Sequence, residues 1–373
     1  MNILHINTEK TWRGGEQQTL YLLQGLRNRK ITSHLICQPG SPMARAAATI
    51  GTVVFPLSMH GEIDFTAAYR IRKLIRRYQY EIIHCHTSHA HTLAFLASWG
   101  TNVRRLVTRR VDFSIFRHSF LHLSGIKYRR MADFYIAISR KIKEVLVSDG
   151  IAAERIFVVY SGIDPDRFVG ASSEHLISEF AIKDDEKIVI NVAHLAGHKG
   201  QKYLVRAIPA VLERFPRTRF FVVGGGALRE ELKAMAFSIG LTDELVFTGF
   251  REDVGAFYHL ADLFVMSSVE EGLGTAVLDA LALGKAVVAT DCGGIPEMIT
   301  DGENGLLVPA KNPSALAAGI IEMLADLDRA GRLAARGPEL VKARFSIEAM
   351  VAGNVNVYGR ILSPHGSQPM AKA

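Results

Sequence analysis

The sequence predicts an α/β protein built of two doubly wound Rossmann-like domains that face each other across a cleft. Apolar strand-like runs alternate with segments of helical period along the chain, as in βαβ units. The runs are rich in Val, Ile and Phe and lack polar alternation, which is typical of parallel strands buried on both faces. The pattern stops at the polar segment 164–186 and then restarts. That segment is interpreted as a linker between two domains, 1–165 and 166–344.

The predicted strands follow one another in two series. The first series lies at 2–6, 34–38, 53–57, 81–86, 105–109, 134–139 and 156–163. The second lies at 187–195, 219–226, 245–249, 263–268, 286–291 and 305–310. Doubly wound domains bind ligands at the carboxyl ends of their strands. A cleft between two such domains therefore suits an enzyme with two substrates.

Composition narrows the class of protein. The 373 residues are 48% hydrophobic and 22% charged, which excludes disordered and low-complexity chains. No apolar run approaches a membrane span, and the start lacks the apolar core of a signal peptide. The three cysteines, Cys37, Cys85 and Cys292, are too few and too scattered for a disulfide framework or a zinc site. A cytosolic protein is expected.

Charge is divided unevenly between the two halves. Residues 1–165 hold 23 basic and 11 acidic side chains, a net charge of +12. Residues 166–373 hold 21 and 26, a net charge of −5. An anionic partner is therefore expected for the first half only. Nucleic acid, a phosphorylated substrate and an anionic membrane surface all fit that charge.

The segment 267–289, SSVEEGLGTAVLDALALGKAVVA, is the most informative. A strand runs into Glu271, a glycine-bearing turn follows, and Asp279 lies near the second turn of the next helix. Glycines allow close backbone approach, and a helix start favours a phosphate. The two carboxylates are spaced to reach one ligand, although solvated carboxylates on an ordinary strand-turn-helix connection have the same pattern. The turn and helix start are Gly272, Leu273, Gly274 and Thr275.

EGLGTAVLD with the following ALALGKAVVA resembles the E-x7-E element of retaining glycosyltransferases of the GT-B fold, the large family that includes bacterial mannosyltransferases and sucrose synthase. The resemblance extends along the whole chain. It implies that Glu271 contacts the donor sugar, that the amides around Gly274 meet the diphosphate, and that Asp279 holds the ribose. This chain has Leu273 where the family has Phe, and Asp279 in place of Glu shortens the reach to the ribose.

NVAHLAGHKG, at the end of the first strand of the second domain, supplies the predicted cations. A cation there is placed to neutralise a departing diphosphate. The family usually pairs an Arg with the Lys, and here the corresponding residues are His194 and Lys199. Lys199 is expected to carry most of the charge, and His194 to donate in a pH-sensitive way. A surface lysine on a loop is the alternative.

Two further glycine turns are candidate donor contacts. FVVGGGALREEL, with Gly225, lacks the full G-x-G-x-x-G spacing, which counts against NAD. The family resemblance places this turn, and the backbone of Phe250 and Arg251, beside the nucleotide. Gly14 and Gly15 open a helix in the first domain, where the family has a loop over donor and acceptor. For the Gly225 segment the alternative is a simple tight turn, and for Arg251 it is a solvated loop residue. For Gly14 and Gly15 the alternative is a plain strand-to-helix turn.

HCHTSHAH, residues 84–91, ends a strand of the first domain with several histidines. A metal site is one interpretation, but no carboxylate or cysteine partner with matching spacing accompanies them. The resemblance implies that His86 lines the cleft near the transferred sugar, where it bonds the sugar 6-hydroxyl and presents a backbone or side-chain dipole to the reacting centre. Two D-x-D strings, at 164–166 and 326–328, do not fit a metal-diphosphate site. No metal and no cofactor are predicted.

The resemblance implies a metal-independent, retaining transferase with catalytic residues His86, Lys199 and Glu271. Its donor is a nucleoside-diphosphate sugar, UDP- or GDP-linked, and its acceptor a glycan or a lipid-linked glycan of bacterial cell-surface polysaccharide or lipopolysaccharide. The helix expected within 345–373 returns to the first domain in such enzymes. A sugar-nucleotide epimerase of the same fold and a non-enzymatic membrane- or nucleic-acid-binding scaffold are the alternatives. No RNA-binding module is visible, so nucleic acid is not expected.

Two basic stretches of the first domain suggest a membrane partner. FTAAYRIRKLIRRY (65–78) and residues 117–130 place cations beside apolar and aromatic side chains. Such a helix can lie on an anionic leaflet, whereas a solvated basic face has the same composition. The hypothesis is a peripheral enzyme at the inner face of the plasma membrane.

Overall fold

The computed structural model describes residues 1–117 and 123–363 and divides the chain into two compact units. The first unit comprises Met1–Gly162 together with the chain from Ile347 onward, and the second comprises Ile163–Ser346. Part of the basic stretch 117–130, and the end of the helix expected within 345–373, lie outside the described residues. Among the described residues, no helix is both long and apolar enough to cross a bilayer.

The first unit is built on a parallel sheet of seven strands in the order β3-β2-β1-β4-β5-β6-β7. Its strands are β1 Asn2–Asn7, β2 Thr32–Cys37, β3 Val53–Pro56, β4 Ile82–Cys85, β5 Arg104–Arg109, β6 Phe134–Ala137 and β7 Ile156–Val158. Residues 3–7 of β1 and the whole of β4 are buried, which explains why these strands lack polar alternation.

The helices of the first unit are α1 Gly14–Asn28, α2 Pro42–Thr49, α3 Phe65–Tyr78, α4 Ser88–Ser98, α5 Leu123–Arg130, α6 Arg140–Ser148 and α15 Ile347–Leu362. The side chain of Asp64 caps α3 by accepting a hydrogen bond from the N–H of Ala67. Helix α15 returns from the end of the chain and buries Val351, Tyr358 and Ile361 in the first core. It packs against α1, where Gly25 makes room for Val351.

The second unit repeats the design with six parallel strands in the order β10-β9-β8-β11-β12-β13. The strands are β8 Lys187–Val192, β9 Thr218–Val223, β10 Leu245–Gly249, β11 Leu263–Met266, β12 Ala286–Asp291 and β13 Leu306–Pro309. Its helices are α7 Glu174–Phe180, α8 Gln201–Arg214, α9 Arg229–Ser238, α10 Val254–Leu260, α11 Thr275–Ala282, α12 Pro313–Ala325, α13 Leu327–Ala334 and α14 Gly337–Arg344. In both sheets the strand order reverses beside the first strand, and ligands bind at such a switch point. The doubly wound α/β class predicted from the sequence is therefore confirmed.

The segment 164–186 is more ordered than its polar sequence suggests. It belongs to the second unit and contains helix α7. Two of its aromatic residues pack against the second unit: Phe168 stacks on Tyr258, and Phe180 contacts Phe221. The interpretation of this segment as a linker was wrong, because three aromatic and aliphatic anchors, with Leu176 fully buried, outweigh the polar majority.

Candidate active site

Lys199 and Glu271 meet at the carboxyl edge of the second sheet. Lys199 ends a 3-10 turn, Gly197–Lys199, after β8, and Glu271 follows β11. Lys199 Nζ lies 2.5 Å from Glu271 Oε2, and Ser268 Oγ donates a hydrogen bond to the same oxygen at 3.1 Å. Both side chains are largely buried. The structure thus pairs the predicted cation with the predicted sugar-binding carboxylate.

The turn that leads into α11 passes close to this pair. Gly274 caps the helix with a φ of +98°, a conformation that favours glycine. A Cβ at this position would lie 3.2 Å from Cγ of Glu271 and 3.3 Å from Cε of Met298. The side chain of Leu273 is buried in the unit. The presence of Leu here, where the family has Phe, therefore affects packing. The start of α11 therefore lies beside the Lys199–Glu271 pair.

Asp279 lies further along α11 and is almost completely buried. Its Oδ2 accepts a hydrogen bond and ion pair from Nη2 of Arg167. Its Oδ1 is buried without a hydrogen-bond partner among the described residues. Burial raises the pKa of the Asp279 carboxyl to about 7, and the Arg167 guanidinium opposes that rise. The carboxylate predicted to bind the ribose is thus buried, with one oxygen in an ion pair and the other without a hydrogen-bond partner among the described residues.

His194 is exposed on the loop after β8. Its carbonyl accepts a hydrogen bond of 3.1 Å from Gln201 Nε2, which ties the loop to the start of α8. The imidazole shares the loop with Lys199 but is not buried with it.

The glycine turn after β9 is explained by backbone packing. A Cβ on Gly224, whose φ is +145°, would lie 2.1 Å from the carbonyl oxygen of Ala193. The N–H of Leu195 donates to the carbonyl of Gly225 at 2.9 Å, so the turn is tied to the loop after β8. Close approach of two protein segments accounts for these glycines before any ligand is considered.

Phe250 and Arg251 have different environments although they are neighbours. Phe250 follows β10 and is 79% exposed. The Arg251 guanidinium forms paired hydrogen bonds with both Glu179 and Asp253, all between 2.7 and 2.8 Å. The Arg251 side chain is therefore held in a surface network, while the Phe250 ring is open to solvent.

The first unit presents a buried histidine cluster at the corresponding edge. His84 on β4 is paired in register with His5 on β1, and His86 follows β4. Nδ1 of His5 and Nε2 of His86 are 2.9 Å apart. His84 lies between the hydroxyls of Tyr358 and Thr108, at 2.7 and 2.6 Å. Tyr358 belongs to α15, so the last helix of the chain completes the cluster.

The hydrogen bonds fix which nitrogens of this cluster carry protons. Burial lowers the pKa of His5 to about 3 and holds the pKa of His86 well below its usual range, so both rings are neutral. A guanidinium only donates, and Arg110 Nη2 lies 3.4 Å from Nδ1 of His86. His86 is therefore protonated at Nε2 and donates to Nδ1 of His5. The His5 proton is then on Nε2, a buried atom without a partner among the described residues.

The same edge holds Arg110 against the start of α1. Arg110 Nη1 donates to the carbonyl of His86 at 3.2 Å, and the side chain lies about 3.6 Å from where a Cβ on Gly15 would stand. Burial lowers the pKa of Arg110 to about 10, and Glu16 opposes this. Glu16 accepts hydrogen bonds from Asn7 Nδ2 and the N–H of Arg13. Gly14, which precedes Gly15, is exposed. The glycine turn at the start of α1 is therefore accessible and lies next to the Arg110 cation.

The three histidines have ligand atoms within 4.8 Å of one another. Both nitrogens of His84 are already hydrogen-bonded, and the Arg110 guanidinium adjoins His86. A neighbouring guanidinium repels a metal cation, and no carboxylate joins the three histidines in the part of the chain that the structure describes. These contacts favour a hydrogen-bonded network over a metal site.

Sequence reasoning singled out Lys199, Glu271, Asp279 and His86. It missed three residues that contact the two edges, which are Arg167, Arg110 and Tyr358. Arg167 lies in the segment interpreted as a linker. Arg110 directly follows β5, next to Arg109. For Arg110 a signal was available, since it directly follows a strand at the edge where ligands bind. For Arg167 and Tyr358 no local signal exists, because each meets its partner more than 100 residues away.

Comparison with known proteins agrees with this geometry. The family "Glycosyltransferase Family 4" matches residues 12–167, and "Glycosyl transferases group 1" matches residues 172–340. The GDP-mannose-dependent alpha-(1-6)-phosphatidylinositol monomannoside mannosyltransferase of Mycolicibacterium smegmatis is 31% identical over 289 residues, 73% of this chain and 74% of that one. The lipopolysaccharide core biosynthesis glycosyltransferase LpsE of Rhizobium meliloti is 33% identical over 166 residues, 44% of this chain and 48% of that one.

A solved structure shares the fold over nearly the whole chain. HepE of Anabaena, in complex with UDP and glucose, has a TM-score of 0.83 and 20% identity, covering 96% of this chain and 99% of that one. The two doubly wound parallel sheets match the GT-B fold of solved glycosyltransferase structures. The chain belongs to the glycosyltransferases, with a family 4 region followed by a group 1 region.

Proposed function

We propose that this protein is a retaining, metal-independent glycosyltransferase that moves a sugar from a nucleoside-diphosphate donor to a glycan or lipid-linked acceptor. The observation that carries the proposal is the Lys199–Glu271 pair beside the start of α11. It combines a cation for a diphosphate, a carboxylate for sugar hydroxyls and a helix N-terminus for phosphate oxygens. The family match supports the assignment as a glycosyltransferase.

In the proposed reaction, the bond between the anomeric carbon and the β-phosphate oxygen breaks. The acceptor oxygen bonds to the anomeric carbon on the same face, and its proton passes to the departing phosphate oxygen. Lys199 and the α11 amides stabilise the charge that develops on the diphosphate. His194, exposed on the same loop, adds a hydrogen-bond donor. Glu271 accepts hydrogen bonds from the donor sugar, and Asp279 from the ribose.

The first unit is proposed to hold the acceptor side of the reaction. Gly14 and Gly15, proposed to contact both donor and acceptor, allow close approach to the start of α1, and Arg110 adds a cation beside Gly15. Both ring nitrogens of His86 are engaged within the unit, so His86 acts by holding Arg110 and the strand ends in place. This refines the role that the family resemblance implied, which was a bond from the ring to a sugar hydroxyl.

The donor nucleotide and acceptor are proposed from relatives. The mycolicibacterial relative is named for GDP-mannose and phosphatidylinositol monomannoside, HepE was solved with UDP, and LpsE is named for lipopolysaccharide core synthesis. We therefore propose a UDP- or GDP-linked donor and an acceptor of bacterial cell-surface polysaccharide or lipopolysaccharide. No cofactor is required by this chemistry.

Thermal-shift screening of UDP, GDP and their sugars, followed by hydrolysis and transfer assays, tests the proposal. Stabilisation by one nucleotide family and transfer of its sugar with retention, undiminished by EDTA, are expected. Turnover that requires a divalent metal would contradict the metal-independent mechanism. Release of an epimerised sugar nucleotide without transfer would identify an epimerase instead.

Helix α3 supports a proposed cytoplasmic location at the inner face of the plasma membrane. Phe65 and Tyr69 are 71% and 59% exposed near its start, and Trp99 after α4 is 68% exposed. The exposed cations of the same helix are Arg70, Lys73, Arg76 and Arg77. Arg72 differs, because its guanidinium donates to the carbonyls of Ala97 and Trp99. An aromatic end and a cationic end on one exposed helix suit an anionic leaflet.

Liposome co-sedimentation tests the membrane proposal. The triple variant Lys73→Gln, Arg76→Gln, Arg77→Gln should lose binding to anionic vesicles, with about 1 kcal/mol lost per cation. Arg206→Gln, Arg214→Gln, Lys233→Gln removes the same charge from exposed positions of the second unit and should bind as the wild type does. Equal binding to neutral vesicles, or equal loss in both variants, would contradict the proposal.

A further inference from the structure

We propose that Arg167 is a positioning residue for the donor nucleotide. It holds Oδ2 of Asp279 and leaves Oδ1 to accept a hydrogen bond from a ribose hydroxyl. The inference rests on the proposed function and adds a residue to its donor site, from a segment that the sequence presents as a linker.

Arg167 is itself fixed by the surrounding fold. Its guanidinium lies 4.3 Å from the centre of the Phe168 ring, and that ring stacks on Tyr258 of α10. The Tyr258 hydroxyl donates to the carbonyl of Ala276 on α11 at 2.9 Å. The Arg167 guanidinium and helix α11, which carries Asp279, thus both contact the Phe168–Tyr258 pair. These contacts fix the geometry of the Arg167–Asp279 ion pair.

The unpartnered oxygen of Asp279 points to a ligand. A buried carboxylate oxygen without a hydrogen bond costs free energy and needs an explanation. Asp is one methylene shorter than the Glu of the family pattern, so it can reach a ribose only from a well-defined position. The bond from Arg167 to Oδ2 orients the whole carboxylate. The lone pairs of Oδ1 therefore have one fixed direction.

The protonation of Asp279 gives a readout that a purely structural role lacks. Burial raises its pKa and Arg167 opposes the rise, and Tyr258, whose own pKa burial raises well above its usual value, is the other ionisable group acting in this cluster. Tyr258 is therefore neutral near pH 7. Loss of Arg167 raises the pKa of Asp279 further, so the carboxyl becomes protonated at higher pH and stops accepting a ribose hydroxyl.

The experiment measures binding of UDP, GDP and their 2′-deoxy analogues by calorimetry between pH 6 and 9. Arg167→Met should weaken ribonucleotide binding about tenfold or more at pH 7 and abolish most of the ribose-over-deoxyribose preference. It should also move the acid limit of binding to higher pH. Arg167→Lys should retain part of each property. In an Asp279→Asn background, Arg167→Met should add less than about twofold, because the coupled partner is already gone.

Two outcomes would overturn the inference alone. One is an unchanged ribose preference and pH limit in Arg167→Met, and the other is an equal loss in the Asp279→Asn background. If the folded wild type binds neither UDP nor GDP, the proposed function fails together with the ribose contact. The pH dependence of the unfolding midpoint in wild type and Arg167→Met then still reports whether Arg167 acts on Asp279.

Discussion

The two units place chemically opposite groups at equivalent edges of similar sheets. The second unit buries two carboxylates, Glu271 and Asp279, each against a cation. The first buries neutral imidazoles beside the guanidinium of Arg110. The same fold therefore presents paired charges on one unit and a cation supported by uncharged rings on the other. The residues that follow the strands, and not the sheets, determine what each edge can bind.

The largest expected contrast is in acid stability. Burial lowers the pKa of His5 and of His91 to about 3, and the pKa of His84 lies well below its usual value. A lowered folded-state pKa gives stability that is present above the unfolded value near 6.5 and lost as pH falls toward 3. Each such histidine should lower the free energy of unfolding by up to about 2 kcal/mol when the pH falls from 7 to 5. Asp279 has the opposite sign, since its raised pKa adds stability at low pH that is lost as pH rises through 7.

Hydrogen exchange followed by mass spectrometry at pH 7 and pH 5, corrected for intrinsic rates, should show β1 and β4 losing protection before β11 and β12. His91 offers a matched variant, because both its ring nitrogens lack partners among the described residues. His91→Leu should remove about 2 kcal/mol of the acid sensitivity. Equal acid sensitivity of both units would refute the comparison.

The second expected effect is on catalysis by the charged edge. Lys199→Ala removes the cation that we propose meets the diphosphate, so turnover should fall by about two orders of magnitude or more. Steady-state kinetics measures this. Lys202→Ala is the control, because that lysine is exposed on the first turn of α8 and lies over the Tyr203 ring. Comparable losses in the two variants would mean that general charge, and not the position of Lys199, matters.

The glycine turns of the two edges should respond differently to a methyl group. Gly274→Ala introduces a Cβ at a φ of +98° and 3.2 Å from Glu271, so a loss of about 1–2 kcal/mol is expected. Gly14→Ala meets no atom within 4 Å and should change stability by less than about 0.5 kcal/mol. Urea unfolding compares them. A large loss of stability in Gly14→Ala would show that the first turn is as constrained as the second.

The smallest expected effect concerns His194. It is exposed, so His194→Arg should strengthen nucleoside-diphosphate binding only about two- to fivefold, the range of an exposed charge interaction. Calorimetry with the nucleotide that stabilises the wild type measures it, with Lys233→Gln as the control. Weaker binding in His194→Arg would remove this side chain from the donor site.

The sequence alone determined the parts of this protein that depend on local pattern. Strand-like runs and helix periods predicted both sheets, and α3 begins and ends at the predicted residues. The glycine turn and the spacing of Glu271 and Asp279 predicted a donor site at the carboxyl edge of the second sheet, and the structure places both residues there. The assignment as a glycosyltransferase followed from that segment by resemblance. The retaining mechanism, the donor nucleotide and the roles of individual residues remain predictions.

Only the tertiary structure decided which groups meet. The His5–His84 register depends on β1 pairing with β4 across the sheet, and Arg167 reaches Asp279 because Phe168 anchors a polar segment onto α10. Tyr358 reaches His84 because α15 packs against α1. These contacts join residues far apart in the chain, and no local periodicity encodes them. The physical reason is that propensity and hydrophobic pattern act over a few residues, whereas the pairing of buried polar groups is fixed only when the whole core has packed.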